Sequence, residues 1–223
     1  ASVGGPAQTL TAKQIREFVL EQLGAYDFDG KRVTLVVPDG TRHAPVAEMA
    51  HLIHEALGDR PKDVRVVIAL GTHDYMSDEA IGQLMGNEPG RFEEEYTGWT
   101  IHNHDWRNHD TIADLGTIPA ERIGELTDGR LADRDMTVLV NKMVVDTDIS
   151  LVLGPVLPHE VVGISGGNKY FFPGLSGHDV IDMSHWVGAL ITSYEMIGSV
   201  GIAPVRQMSD AAEETFTSVA AAE

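Results

Sequence analysis

The sequence predicts an α/β fold, a three-layer Rossmann-like domain with a mainly parallel sheet. Two apolar, β-branched runs, residues 32–37 and 64–70, have the length and density of strands buried on both faces. Each run passes into a polar loop and then a helical pattern, the alternation that sets helices against a parallel sheet. The loops themselves carry Gly, Asp, Thr, Arg and His, and the carboxyl ends of parallel strands are where such folds place ligands.

In chain order, residues 1–10 read as a flexible lead-in. Thr11-Ala-Lys-Gln14 has the pattern of a capping box, and Ile15, Phe18, Val19 and Leu23 follow at helical spacing. The strand at 32–37 ends in the turn Pro38-Asp39-Gly40-Thr41-Arg42. A helix is expected over residues 45–57, with Pro45 in its first turn, Val46, Met49, Ala50, Ile53 and Leu57 on one face, and Gly58 as its stop. The strand at 64–70 ends in Gly71-Thr72-His73-Asp74. Ser77 then caps a short helix whose first turn holds Asp78 and Glu79, the favourable sign at that end.

Beyond this point the pattern is weaker. Residues 87–96 read as a short acidic helix or excursion, 99–105 as strand, 111–129 as a loop-rich connection, and 136–140 and 149–153 as strands. Residues 177–197 are expected to be helical, and 209–219 to form a last helix. No internal repeat, low-complexity tract or linker divides the 223 residues, so a single domain is expected.

Composition excludes several classes of function. Sixteen Lys and Arg against 34 Asp and Glu give a net charge of −18, a surface that repels nucleic-acid phosphates and anionic membranes alike. An anionic substrate would need local positive groups to override that field. The absence of cysteine removes disulfides, thiolate metal sites and cysteine nucleophiles. No apolar run approaches the ~20 residues of a membrane span. The start lacks a basic-then-apolar leader pattern, and a cytoplasmic location is the expectation.

Three strand ends carry unusual polar residues: Asp39-Gly-Thr-Arg42, Gly71-Thr-His73 and Pro158-His159. In a parallel sheet these ends share one edge, so Arg42, His73 and His159 are expected to converge. The segment from Pro158 to Gly174 adds His159, the turn Ser165-Gly166-Gly167, Lys169 and two prolines, and His185 follows in the next helical pattern.

These pieces resemble the N-terminal domain of the lactate racemase family, the nickel-pincer nucleotide enzymes. Asp39-Gly-Thr-Arg42, Gly71-Thr-His73, Asn141-Lys142, Pro158-His159, Ser165-Gly-Gly-Asn-Lys169, Pro173-Gly174 and Ser184-His185 stand in the family's order, and the resemblance runs from about Val33 to Phe216. It implies a racemase or epimerase that inverts the carbon of a 2-hydroxy acid. The implied cofactor is the Ni(II) pyridinium-3-thioamide-5-thiocarboxylic acid mononucleotide, tethered as a thioamide to Lys169, with His185 as the protein ligand to nickel. Hydride would pass to the pyridinium ring while His73 or His159 takes the hydroxyl proton, one base for each enantiomer. Imidazole suits that task because its ordinary pKa of ~6.5 lies near neutrality. Arg42 matches the residue holding the anionic group of the substrate. Asp39, Thr41, Ser165, Gly166 and Gly167 fall at cofactor-binding positions, the glycine-rich turn offering N–H groups to a phosphate.

The departures are Asp74 after His73, His178 where an acidic residue is common, and the bulk of Phe171 and Phe172. The family's C-terminal domain is also absent from this sequence, so a partner domain or chain is implied. The alternatives are a non-catalytic cofactor-binding or carrier domain and a half-enzyme. A free-dinucleotide oxidoreductase is disfavoured, because the first strand ends in Asp-Gly-Thr-Arg and not in Gly-x-Gly-x-x-Gly. His102, His104 and His109 could meet at a metal but read more simply as loop and surface histidines, and His51 and His54 lack an evident partner.

Overall fold

The computed structural model describes residues 1–199 and 210–214. Helix α1 (Ala12–Gly24) opens with the expected capping box, Thr11 and Gln14 each bonding the other's backbone N–H. Strand β1 (Arg32–Pro38), helix α2 (Val46–Leu57) and strand β2 (Asp63–Ala69) follow, then α3 (Asp78–Met85) on its Ser77 cap, the single turn α4 (Phe92–Glu95) and β3 (Trp99–Asn103). After β3 come β4 (Ile112–Ile118), α5 (Ala120–Leu126), β5 (Met136–Asn141), the turn α6 (Lys142–Val145) and β6 (Ile149–Val152). The strand pair β7 (Pro158–His159) and β8 (Gly163–Ile164), then α7 (His178–Leu190) and α8 (Ser193–Met196), complete the named elements.

The main sheet has the order β3-β2-β1-β6 with every neighbouring pair parallel. Side chains alternate along its central strands and divide the core. Val33, Leu35 and Val37 of β1, with Val64, Val66 and Ile68 of β2, pack with Val46, Ala50, Ile53 and Leu57 of α2. These are four of the five residues of the apolar stripe expected on that helix; Met49 is half-buried and outside the cluster. Val36 and Val67 point the other way, into a second cluster with Val138 and Val140 of β5, Ile123 of α5 and Val180 and Val187 of α7. The second face therefore carries helices together with the two-stranded antiparallel sheet β4–β5.

That small sheet corrects the reading of residues 111–129 as loop. Its first strand contains Asp114 and Gly116, and the pairing shifts register between Asp114 and Thr117. A bulge inserts an extra residue and breaks the period-two alternation by which a strand is recognised in sequence. The helical expectation over 177–197 is also corrected. Helix α7 ends at Leu190, Ile191 is extended, and Thr192 caps the separate turn α8. Of the last expected helix, residues 210–214 are helical, and Ser209 with 215–219 lie outside the described residues. No helix among the described residues is long and apolar enough to cross a membrane.

Candidate active site

The carboxyl ends of β1 and β2 open into a cavity of about 280 Å³. Strand β1 delivers Asp39 and Arg42, and β2 delivers Gly71 and His73. The 155–174 segment forms the opposite wall and contributes His159, Glu160, Ser165, Gly166, Lys169 and Tyr170. Helix α7 contributes His185. The two walls are joined where Gly71 N–H donates to the Gly174 carbonyl at 3.0 Å. Gly71 takes a φ of +56° there, a conformation that a β-carbon disfavours.

The convergence expected of Arg42, His73 and His159 is therefore present, and Lys169 and His185 share the same cavity. Thr41 and Gly167 stand just outside the lining. Thr41 instead holds Asp39, its N–H donating to Oδ1 at 2.9 Å and its hydroxyl at 2.5 Å. Ser165 lines the cavity, but its hydroxyl closes the loop: it accepts from Leu157 N–H at 2.9 Å and donates to the Leu157 carbonyl at 3.1 Å.

The five central groups differ in environment. Asp39 is buried, and its Oδ2 meets Nδ1 of the more exposed His73. Burial alone would raise the Asp39 carboxyl, but hydrogen bonds from Thr41 and His73 outweigh it and hold the group below its ordinary value. His159 is buried, with Nδ1 accepting from Val161 N–H at 3.0 Å. Burial, followed by the positive charge of Lys169, pushes its pKa down to about 4, so the ring is neutral at pH 7. Burial and then the Arg42 charge lower the Lys169 amine to about 8, which gives it an appreciable unprotonated fraction near neutrality. The Nδ1–H of His185 donates to the Ile181 carbonyl at 2.6 Å, which leaves Nε2 with its lone pair.

Two lining residues, and a glycine that one of them depends on, escaped the sequence reading. Glu160 sits beside His159 at the mouth, its carboxyl held down first by its own backbone N–H and further by His159, Arg42 and Lys169. Its adjacency to His159 was the available signal. Tyr170 forms part of the floor, with its phenol raised by burial. Gly154 makes room for that ring, since a β-carbon at 154 would lie 1.8 Å from the Tyr170 oxygen. No sequence signal joins those two positions.

Three other histidines have partners away from the cavity. His104 is buried between the Ser176 carbonyl, at 2.9 Å, and the Asn141 amide, at 3.1 Å. His102 bonds Thr100. His51, for which the sequence offered no partner, meets Glu95 at 3.0 Å and Tyr96. Among the described residues no three His, Asp or Glu side chains group as a metal site.

The lactate racemase N-terminal domain family matches residues 12–198. The lactate racemase of Thermoanaerobacterium thermosaccharolyticum is 25% identical over 179 residues, which are 79% of this chain and 37% of that protein. A crystal structure of a Thermotoga maritima protein superposes with a TM-score of 0.82 at 29% identity, covering 94% of this chain and 48% of that one. The lactate racemase apoprotein of T. thermosaccharolyticum superposes with a TM-score of 0.71 at 20% identity, covering 93% and 47%, a likeness of fold. The chain spans less than half the length of each of these relatives.

Proposed function

From the premise that the chain belongs to the lactate racemase N-terminal domain family, we propose that it is the cofactor-bearing part of a racemase or epimerase of 2-hydroxy acids. The observation that carries this reading is the meeting of Arg42, His73, His159, Lys169 and His185 in one cavity. The chemistry of the donor set fits the nickel-pincer nucleotide. A lysine amine lowered to about 8 suits a covalent tether through nitrogen. A single imidazole with Nδ1–H bonded to a backbone carbonyl presents Nε2 as one ligand to a metal whose remaining ligands come from the cofactor. When bound, the nucleotide supplies the acceptor and donor of the hydride from the substrate carbon.

The chain's own residues supply the rest. Lys169 holds the nucleotide and His185 orients its metal. Arg42 presents a planar fork to the substrate carboxylate, and its charge offsets the −18 field of the chain at the mouth. His73 and His159 take and return the hydroxyl proton, each for one face of the carbon. Asp39 and Thr41 border the site, and the Ser165-Gly166-Gly167 turn is assigned to the nucleotide phosphate through its backbone.

Turnover is proposed to need a second domain or chain. Besides the length of the relatives, the rim supports this. Val156, Leu157 and Trp186 are 67%, 49% and 59% exposed, although Val156 lies against Gly166 and Trp186 adjoins His185. A domain that binds the cofactor without turnover is the alternative.

Intact mass is the test. Protein produced together with the cofactor-building enzymes should gain the mass of one modified nucleotide, and Lys169→Ala should abolish the gain. Equal masses for the two would refute the tether. His185→Ala should keep the added mass and lose nickel.

A further inference from the structure

The two histidines at the mouth are held by opposite kinds of partner. Nδ1 of His73 faces the Asp39 carboxylate, which accepts and cannot donate. The Nδ1 of His159 accepts at 3.0 Å from the Val161 N–H, which donates and cannot accept, and the Glu160 carboxylate stands farther off at 3.8 Å, beyond hydrogen-bond reach. A neutral imidazole carries one proton, so each partner fixes where it sits. We propose that Asp39 is a positioning residue: it holds the proton of His73 on Nδ1 and its lone pair at Nε2, whereas Val161 N–H holds His159 with its proton on Nε2. The two rings thus rest in opposite tautomers: His73 presents its Nε2 lone pair as the waiting base, and His159 becomes the base for the other enantiomer only after its proton moves to Nδ1, away from Val161 N–H. This rests on the reading of both as proton carriers, and it moves Asp39 from the cofactor set to the support of His73.

The geometry around Asp39 strengthens the assignment. Oδ1 is occupied by two donors from Thr41, so only Oδ2 is turned to the imidazole, and the carboxylate cannot rotate without losing those bonds. The carboxylate is buried and held below its ordinary pKa, so it stays ionised across the neutral range. When the substrate hydroxyl gives up its proton, the O–H bond breaks and Nε2–H forms on His73. The resulting imidazolium is stabilised by the Asp39 charge. An Asn at 39 would keep its oxygen toward the Thr41 donors and turn its NH₂ toward His73 Nδ1. That would push the ring proton onto Nε2 and remove the base.

Histidine-labelled ¹⁵N spectra of the 223-residue chain, free of cofactor and at a pH where the rings are neutral, test this directly. His73→Gln and His159→Gln assign the signals. His73 should show a protonated Nδ1 and His159 a protonated Nε2, and Asp39→Asn should move the His73 proton to Nε2. A His73 signal with Nε2 protonated in the parent chain would overturn the proposal and leave the tether, which intact mass reads separately, untouched. In the complete loaded enzyme, Asp39→Asn should cut kcat by ~10²–10⁴ with KM little changed. Asp39→Glu should recover part of the loss, and Thr41→Val should cost less. If Asp39→Asn turned over normally while His73→Gln did not, the positioning role would be wrong. If His73→Gln also turned over normally, the base assignment beneath it would fall, and the proposal with it.

Discussion

The two ends of the parallel sheet treat charge in opposite ways. At the amino end, Arg32 and Arg65 interlock with Asp63 and Asp146, and Asp148 accepts from Arg32 N–H at 2.7 Å. Both arginines have carboxylate partners, and Arg65 also bonds backbone carbonyls at 143 and 146. At the carboxyl end, Arg42 and Lys169 share a cavity with the Asp39 and Glu160 carboxylates, but among the described residues no ion pair joins them. Burial first, and neighbouring positive charge second, lower Lys169 to about 8 and His159 to about 4. Paired charge holds an edge together, whereas buried ionisable groups left unpaired beside a cavity, with shifted pKa values, mark a place prepared for a ligand.

Substitutions should separate the two ends, and the largest effect belongs to the carboxyl end. His73→Gln or His159→Gln should lower turnover of the complete loaded enzyme by ~10²–10⁴, with thermal stability held or raised. A large fall in Tm would instead make those rings structural, like the residues of the amino end.

A smaller effect is the acid sensitivity of the carboxyl end. Unfolded His159 takes a proton below its ordinary pKa of about 6.5, but the folded ring resists until about 4. The unfolded state then binds more protons, so stability falls as pH drops through that window and is unaffected by this ring above it. The contribution is on the order of 2 kcal/mol. His102 and His104, both lowered by burial, add in the same direction. Urea melts at pH 7 and pH 4.5 should therefore show a smaller drop for His159→Gln than for the parent chain. An equal drop would remove His159 from the account.

The smallest effect is expected at the amino end. Asp146 is well exposed, so Asp146→Ala should cost only about 1 kcal/mol by denaturant titration, and the cavity pKa values should not move. A shift in the His159 titration would mean that the two ends are coupled through β1 and β2.

Legibility in the sequence followed the same division. Strands β1 and β2, α2 and the loops at 39–42 and 71–73 were readable because dense apolar runs and glycine turns are local signals. The strand β4 was not, because its bulge destroys the alternation that would announce it. Within the site, the shared edge brought Arg42, His73 and His159 together through topology, while Lys169 and His185 needed a family resemblance to stand out. The Asp39–His73 bond spans 34 positions and the Tyr170–Gly154 fit depends on a missing side chain, so neither leaves a local trace.

The start of α7 bears on how finely the site can be tuned. Gly177 N–H bonds the Leu139 carbonyl at 2.9 Å, and a β-carbon at 177 would fall 2.6 Å from that of Leu139. The helix is thus moored to β5 at its first turn. His185 rides two turns further on, roughly 12 Å away at 1.5 Å per residue, and its ring is tied to the carbonyl four residues back. The imidazole has no aim of its own and points where the helix points. A tilt of about 5° about the mooring would swing Nε2 by about 1 Å, most of the difference between a bond and a gap at a metal. Side chains that wedge α7 against β5, Val180 and Val187 with Val138, therefore set the aim of the ligand proposed at His185.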